Sequence, residues 1–350
     1  MRPVHATDAT GLKLLLISPT FHGYHLSIAA GFEQIGYTVQ IYCYDSFDSV
    51  GMKMRNKFAL ELPEQLGMDR QAARVAWDTR RALEVLRSCA ADRILLIKAD
   101  TLGQQFWDEL RAMNIPTMLW LYDDLSRHSF TLDFLKEFGP VISYAASETR
   151  RLTDAGVQAH YLPNAYDPRL CRTRPWYGPS VTRRNEIVFV GSRYPNRVEL
   201  LEHLVRSGVP VRAYGRQWSH HVVDRLRTWE FARPTIPAER DISLAQAYTV
   251  QAQAAAAINV HGVQAGLTMR TFEVPGNGGL QLIDRADVAE FYDPGEEVLV
   301  FSDLHDLEQL CERALADPSW GDAIRRAGQR RSIAEHTFAH RARRAQEWWP

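Results

Sequence analysis

The feature that most limits what this chain can become is its alternation. Short apolar runs of strand length are followed by amphipathic stretches of helical period, and the series breaks once and restarts. Lys13–Ile17 predicts a buried strand opening into the turn Ser18–Tyr24. A helix over Ser27–Ile35 closes at Gly36, and a second strand covers Thr38–Tyr42. A helix over Ala72–Ser88, a strand over Arg93–Ile97, a helix over Gln105–Met113, strands over Thr117–Leu121 and Val141–Ala145, and a helix over Glu148–Ala155 continue it. Between Pro163 and Asn185 the pattern fails, with Pro163, Pro168, Pro175 and Pro179 discouraging helix. It resumes with strands over Glu186–Val190, Val211–Tyr214, Ala256–Val260, Leu280–Ile283 and Val298–Phe301. Helices are expected over Arg197–Ser207, Leu244–Ala254, from about Thr268, and over Leu304–Ala316, with a long Arg-rich helical tail over Asp322–Trp349.

Strands alternating with helices demand an α/β fold with parallel sheets, whose ligands collect at the strand C-termini. A chain of 350 residues accommodates two such cores. The expected division is a Rossmann-like domain over 1–168, a linker over 169–185, a second Rossmann-like domain over 186–335, and a helix over 336–350 packing back on the first. Trp176 and Tyr177 are expected to seal the junction, and Trp320, Trp348 and Trp349 to be apolar anchors of the tail. Arg341, Arg343 and Arg344 are expected to form a solvated face.

With 45% hydrophobic and 24% charged residues and a net charge of -1, the chain reads as globular, and nothing forces a polyanionic partner. The first eleven residues are polar and the longest apolar runs are strand-length, so neither a signal peptide nor a membrane span is expected. Cys43, Cys89, Cys171 and Cys311 lie far apart without a CxxC pair, which fits a reduced, cytoplasmic setting and no structural metal.

Two segments carry anion chemistry. In Phe189-Val-Gly191-Ser192-Arg193-Tyr-Pro-Asn-Arg197 a strand opens through glycine onto a helix with two arginines, a setting suited to a diphosphate. A simple turn with solvated arginines is the alternative. In Asn259-Val-His261 through Thr268-Met269-Arg270-Thr-Phe-Glu273, a strand end meets a helix whose first turn carries an arginine. Arginine there opposes the helix dipole and so suits an anion, and Glu273 could hold a ribose diol; an Arg270–Glu273 helical ion pair is the alternative.

Taken in order, these segments resemble the CgeB-like, spore-maturation-type glycosyltransferases of the GT-B superfamily. The resemblance rests on Phe189–Ser192, Tyr214-Gly215 with Trp218, Asn259–His261, Arg270–Glu273 with Gly278, Phe291–Glu297, Trp120–Asp124 and Leu162–Ala165. It implies a GT-B fold, with two Rossmann-like domains facing across a cleft and no obligatory metal or cofactor. A nucleotide-sugar, UDP-sugar first among them, would be the co-substrate. By the same analogy Glu273 would hold the donor ribose, and Arg193, Arg197, Arg270 and the backbone at Thr268 and Met269 would neutralise the diphosphate. Gly191, Ser192, Tyr214, Gly215 and His261 would lie along the donor cleft. Many retaining relatives carry a glutamate seven residues before the ribose glutamate; here that position is Gly266, so stereochemistry is left open.

The first half would supply the base that deprotonates the acceptor, from Asp123, Asp124 or His22 at strand ends, although an aspartate there could equally cap the next turn. The acceptor classes open to such an enzyme are a protein, a glycan, a small molecule and a modified DNA base. A non-catalytic nucleotide or sugar-nucleotide binder is the alternative from another class. A nicotinamide enzyme is disfavoured because neither opening turn has GxGxxG.

Overall fold

The computed structural model describes residues 9–46, 51, 54, 58–59, 68–171, 183–262, 264–317 and 319–349. Residues 172–182, which include Trp176 and Tyr177, lie outside that set. The chain forms two compact units, 1–163 with 338–350, and 164–337.

The first unit is built on six parallel strands in the order β2-β1-β3-β4-β5-β6. They are β1 (Lys13–Ser18), β2 (Thr38–Cys43), β3 (Arg93–Ile97), β4 (Thr117–Trp120), β5 (Val141–Ser143) and β6 (Ala159–Tyr161). Leu14–Ile17 and Ile94–Ile97 are buried without alternation, as strands covered by helices on both faces must be. Those helices are α1 (Tyr24–Glu33), α2 (Gln71–Ser88), α3 (Gln104–Met113), α4 (Leu132–Phe138) and α5 (Ala146–Asp154).

The second unit repeats the plan, in the order β12-β11-β10-β7-β8-β9. Its strands are β7 (Arg184–Val190), β8 (Val211–Tyr214), β9 (Ala238–Glu239), β10 (Ala254–Asn259), β11 (Gln281–Ile283) and β12 (Leu299–Val300). Its helices are α6 (Pro195–Arg206), α7 (Val222–Thr228), α8 (Leu244–Gln253), α9 (Arg270–Gly276), α10 (Leu304–Ala316) and α11 (Trp320–Glu335). In both sheets the first strand is flanked by the second on one side and a later strand on the other. The strand order therefore reverses between β1 and β3 and between β7 and β10, the crevices where open α/β sheets bind ligands.

The tail departs from the expectation of one helix. It is α11 followed by α12 (Phe338–Gln346), broken at His336 and Thr337. The His336 carbonyl accepts a hydrogen bond from the Tyr166 N–H at 3.1 Å, Thr337 bridges to Tyr166, and the His336 ring packs on Phe272, Phe291 and Tyr292. Those contacts take the place of a continuing helical ladder. α12 then packs on α1 so closely that a Cβ on Gly31 would lie 2.6 Å from the Phe338 carbonyl oxygen.

Two further expectations for the tail are corrected. Arg341 is 7% exposed, with its Nε donating to the Pro163 carbonyl at 2.8 Å, so it is not part of a solvated face. Trp320 does not accompany Trp348 and Trp349. It packs on the core of the second unit beneath the Arg313 guanidinium, while Trp349 is buried against Phe32 and Tyr37 and Trp348 stacks on His160.

Buried Asp78 on α2 has its pKa pushed up to about 6 by desolvation, with Arg81 and Arg74 offsetting part of the shift. A raised folded-state pKa favours the protonated form, so folding stability falls as pH rises from about 4 to about 6 and stays lower above. Asp78→Asn should therefore raise the unfolding free energy by about 1 to 2 kcal/mol at pH 8. The gain should vanish near pH 4, as urea titrations at the two pH values would show.

Candidate active site

In the second unit the strand-order reversal brings the ends of β7 and β10 together. At the end of β7 the chain turns through Gly191, whose φ of 159° is at the edge of the left-handed region. The Gly191 N–H donates to the Tyr214 carbonyl, and the Gly191 carbonyl accepts from Trp218 Nε1 at 2.7 Å. Gly215 follows β8 with φ 147°, and a Cβ there would sit 3.0 Å from the Gly191 oxygen and 3.2 Å from the Trp218 ring. The two glycines are needed for this close approach.

Arg270, the first residue of α9, lies over Gly191: its guanidinium carbon and Nη2 are 3.4 Å from where a Gly191 Cβ would be. Its Nε is buried with no hydrogen-bond partner, and no hydrogen bond or ion pair joins its side chain to a described residue. Arg197 sits close enough to Arg270 to feel its charge. Burial first, and Arg270 second, lower the Arg197 pKa to about 10. Arg197 Nε and Nη2 donate to the Val260 carbonyl at 3.0 and 2.6 Å, and Nη1 donates to the Ser192 carbonyl at 2.9 Å. Its plane also faces the rings of Phe189 and Tyr194. Arg197 therefore stitches the β7 turn to the end of β10 and adds positive potential from below.

His261, 3% exposed, is a post rather than an open ligand group. Asp284 accepts from its backbone N–H and lies 2.7 Å from its Nδ1, while its Nε2 accepts the Thr268 N–H at 3.1 Å. A carboxylate can only accept, so Nδ1 carries the proton in this arrangement. The Thr268 N–H is thus spent on His261, and the Thr268 hydroxyl donates to Asn259 Oδ1 at 3.1 Å. Asn196 Nδ2 donates to the His261 carbonyl, and Asn164 Nδ2 to the Leu267 carbonyl, clamping the loop from both sides.

Three other residues lie elsewhere. Arg193 turns to Glu230, with Nη2 at 2.7 Å from Oε2, while its backbone N–H donates to Gln217 Oε1. Glu273 is 2% exposed and bears electrostatically on Cys171, whose thiol pKa is pushed up to about 12 by burial first, then by Asp167 and Glu273. No ion pair joins it to Arg270. The Tyr214 side chain lines a separate cavity of about 640 Å³ with Glu186, Arg212, Glu239 and Arg240.

In the first unit the reversal between β1 and β3 carries strained backbone. Phe21, His22, Lys98, Ala99 and Tyr122 all have positive φ, between 30° and 63°, at the ends of β1, β3 and β4. Non-glycine residues held this way cost of order 1 kcal/mol each and cluster at functional sites. Asp123 is held by Lys98 Nζ at 3.2 Å and Arg127 Nη1 at 3.4 Å. Asp124 is 6% exposed and accepts from the Tyr144 hydroxyl at 2.8 Å; it occupies a cap position but its side chain makes no cap bond. His22 is exposed, and its ring meets the Phe21 ring edge-on. Nothing in the sequence marks Lys98, and Tyr122 enters only within Trp120–Asp124, because neither side chain signals a left-handed backbone. Asp284 shows only as a polar residue closing a strand.

Among the described residues no group of three or more His, Cys, Asp or Glu side chains could hold a metal, and no helix is long and apolar enough to cross a membrane.

Solved structures share this architecture over nearly the whole chain. Sucrose-phosphate synthase from Thermosynechococcus elongatus superposes with a TM-score of 0.63 at 13% identity, covering 96% of this chain and 98% of that one. HepE of Anabaena, in complex with UDP-glucose, gives 0.59 at 15% identity over 96% and 98%. AviGT4, a glycosyltransferase of avilamycin A biosynthesis, gives 0.58 at 15% identity over 96% of each. The chain has the GT-B fold.

Residues 193–347 of this GT-B chain match the family described as Glycosyl transferase-like. The Spore protein CgeB of Bacillus subtilis (strain 168) is 22% identical over 148 residues, 39% of this chain and 46% of that protein, so the match spans less than half of the relative's length. By its fold, and by the match over residues 193–347, the chain is similar to glycosyltransferases.

Gly215→Ala should force the Gly191 carbonyl and the Trp218 ring apart and lower the unfolding free energy by about 1 to 3 kcal/mol. The same substitution at Gly208, where φ is 83° but no atom lies within 4 Å, should cost only its backbone strain; chemical denaturation of both variants measures the difference.

Proposed function

We propose that this protein transfers a sugar from a nucleoside-diphosphate donor, a UDP-sugar, to an acceptor hydroxyl without a metal. The observation that carries the reading is Arg270. Its guanidinium lies on the backbone of a glycine turn, beside the buried Arg197 and with no carboxylate partner among the described residues. Two like charges so placed are unfavourable until an anion arrives, and a diphosphate leaving group supplies one whose charge grows as the glycosidic bond breaks. Arg270 donates to the diphosphate, Arg197 adds charge from below, and the Gly191–Ser192 turn gives close backbone approach. His261 holds the Thr268 loop in place. The choice of uracil is supported by HepE, which carries UDP-glucose.

The first unit provides the acceptor side. Of its three candidate bases, Asp123 is shared by two cations and Asp124 is buried on a tyrosine hydroxyl. His22, exposed on a strained turn, is therefore the group we assign to accept the acceptor's proton. The compartment assigned is the cytoplasm, where nucleotide-sugars are available as donors. Glu273 keeps the assignment to the donor ribose only if its carboxylate turns out of its buried position when nucleotide binds.

Arg270→Ala should reduce transfer by about a hundredfold or more, measured as UDP release from a panel of UDP-sugars in the presence of EDTA. Its unfolding midpoint should equal or exceed that of the wild type, because a like charge beside Arg197 has gone. UDP should raise the midpoint of the wild type and not of the variant. Turnover equal to wild type in Arg270→Ala contradicts the assignment. Conversion of the donor to its epimer without UDP release contradicts the reaction.

A further inference from the structure

Exposed apolar side chains are most concentrated at one elbow of the second unit. Val222, Val223 and Leu226 on α7, then Trp229 and Phe231 beyond its end, are 67%, 40%, 51%, 72% and 58% exposed. No other ten-residue stretch of described residues carries more than two large exposed apolar side chains. Trp229, at φ 53°, turns the chain out of the helix with its indole in solvent. A strained, 72% exposed tryptophan contributes little to this unit's own core, so its use lies outside the fold.

The elbow is braced from behind. The Arg233 side chain, fully buried, donates to the Gln217 carbonyl, Glu230 Oε2 and Thr228 Oγ1 at 2.8, 2.9 and 2.6 Å. Glu230 also takes Arg193, and Asp224 takes Arg240 Nε at 2.8 Å. Both acidic residues of the elbow are therefore occupied. Arg225 and Arg227 have no carboxylate partner among the described residues; Arg225 Nη2 meets His220 Nδ1 at 3.2 Å. The result is a firm apolar tip with an uncompensated cationic flank.

That chemistry discriminates between occupants. A second copy meeting this patch about a twofold axis would set Arg225 and Arg227 against their own equivalents. A lipid surface with anionic headgroups accepts both halves, aromatic and aliphatic side chains at the acyl boundary and guanidinium groups on phosphates. We propose that the elbow Val222–Phe231 docks the protein on an anionic lipid surface, with Trp229 and Phe231 as the inserting side chains. The proposal does not depend on the transfer reaction.

The test is co-sedimentation of the full chain with vesicles of phosphatidylcholine alone or mixed with phosphatidylglycerol. Binding to the mixed vesicles, weakened by salt, is expected. Trp229→Ser with Phe231→Ser should reduce it by about tenfold or more, and Arg225→Gln and Arg227→Gln by about fivefold each. All these side chains face solvent at least in part, so unfolding midpoints should match the wild type. No binding to anionic vesicles, equal binding to neutral ones, or unchanged binding by the Trp229/Phe231 variant overturns the proposal. So does a wild-type dimer in light scattering that the variant abolishes, which would make the face a self-association surface.

Discussion

The arrangement of the second unit turns on two guanidinium groups held near each other at the ends of β7 and β10. Arg197 is anchored by two backbone carbonyls and by aromatic faces, and its lowered pKa reports what burial and the neighbouring charge cost it. Arg270 has no such anchorage among the described residues, and its Nε is buried without a hydrogen-bond partner. Asp284, a carboxylate that bears on Arg197, is committed to His261. A half-buried guanidinium left without a partner beside a buried one is unfavourable until something offsets it, and a polyphosphate would. The glycines at 191 and 215, the Trp218 bond and the His261 post all keep that turn open for close approach.

The first unit makes a different use of backbone. Its strand ends hold non-glycine residues in left-handed conformations, locked by β-sheet hydrogen bonds and by the Phe21, Tyr24 and Tyr122 ring cluster. Strain of this kind persists only where the surroundings over-determine it. It sits at the reversal between β1 and β3 where ligands of open sheets bind, and it places His22 outward. The two units thus repeat one topology with opposite emphasis, fixed charge in one and aimed side chains in the other.

Much of this was legible in the residues because parallel strands buried on both faces read as uninterrupted apolar runs, as Leu14–Ile17 and Ile94–Ile97 do. The two short strands β6 and β9 carry no such run and leave no signal in the sequence. The run Ala254–Ala257 also misleads: alanine favours helix, yet burial at the centre of the sheet makes it strand from its first residue. The tail break at His336 depends on Tyr166, 170 residues earlier, which no local pattern reveals. At the site, glycine after a strand and arginine at the start of a helix pointed to Gly191 and Arg270. Where Arg193, Arg197 and His261 turn is decided by Glu230, Val260 and Asp284, partners that sequence spacing does not specify.

Whether Arg270 waits for a diphosphate is tested most directly by a crystal structure of the wild-type protein with UDP. Phosphate oxygens are expected within about 3 Å of the Arg270 guanidinium, beside the Gly191 turn. UDP bound away from that turn, or Arg270 satisfied instead by a carboxylate of the protein with UDP present, would contradict it.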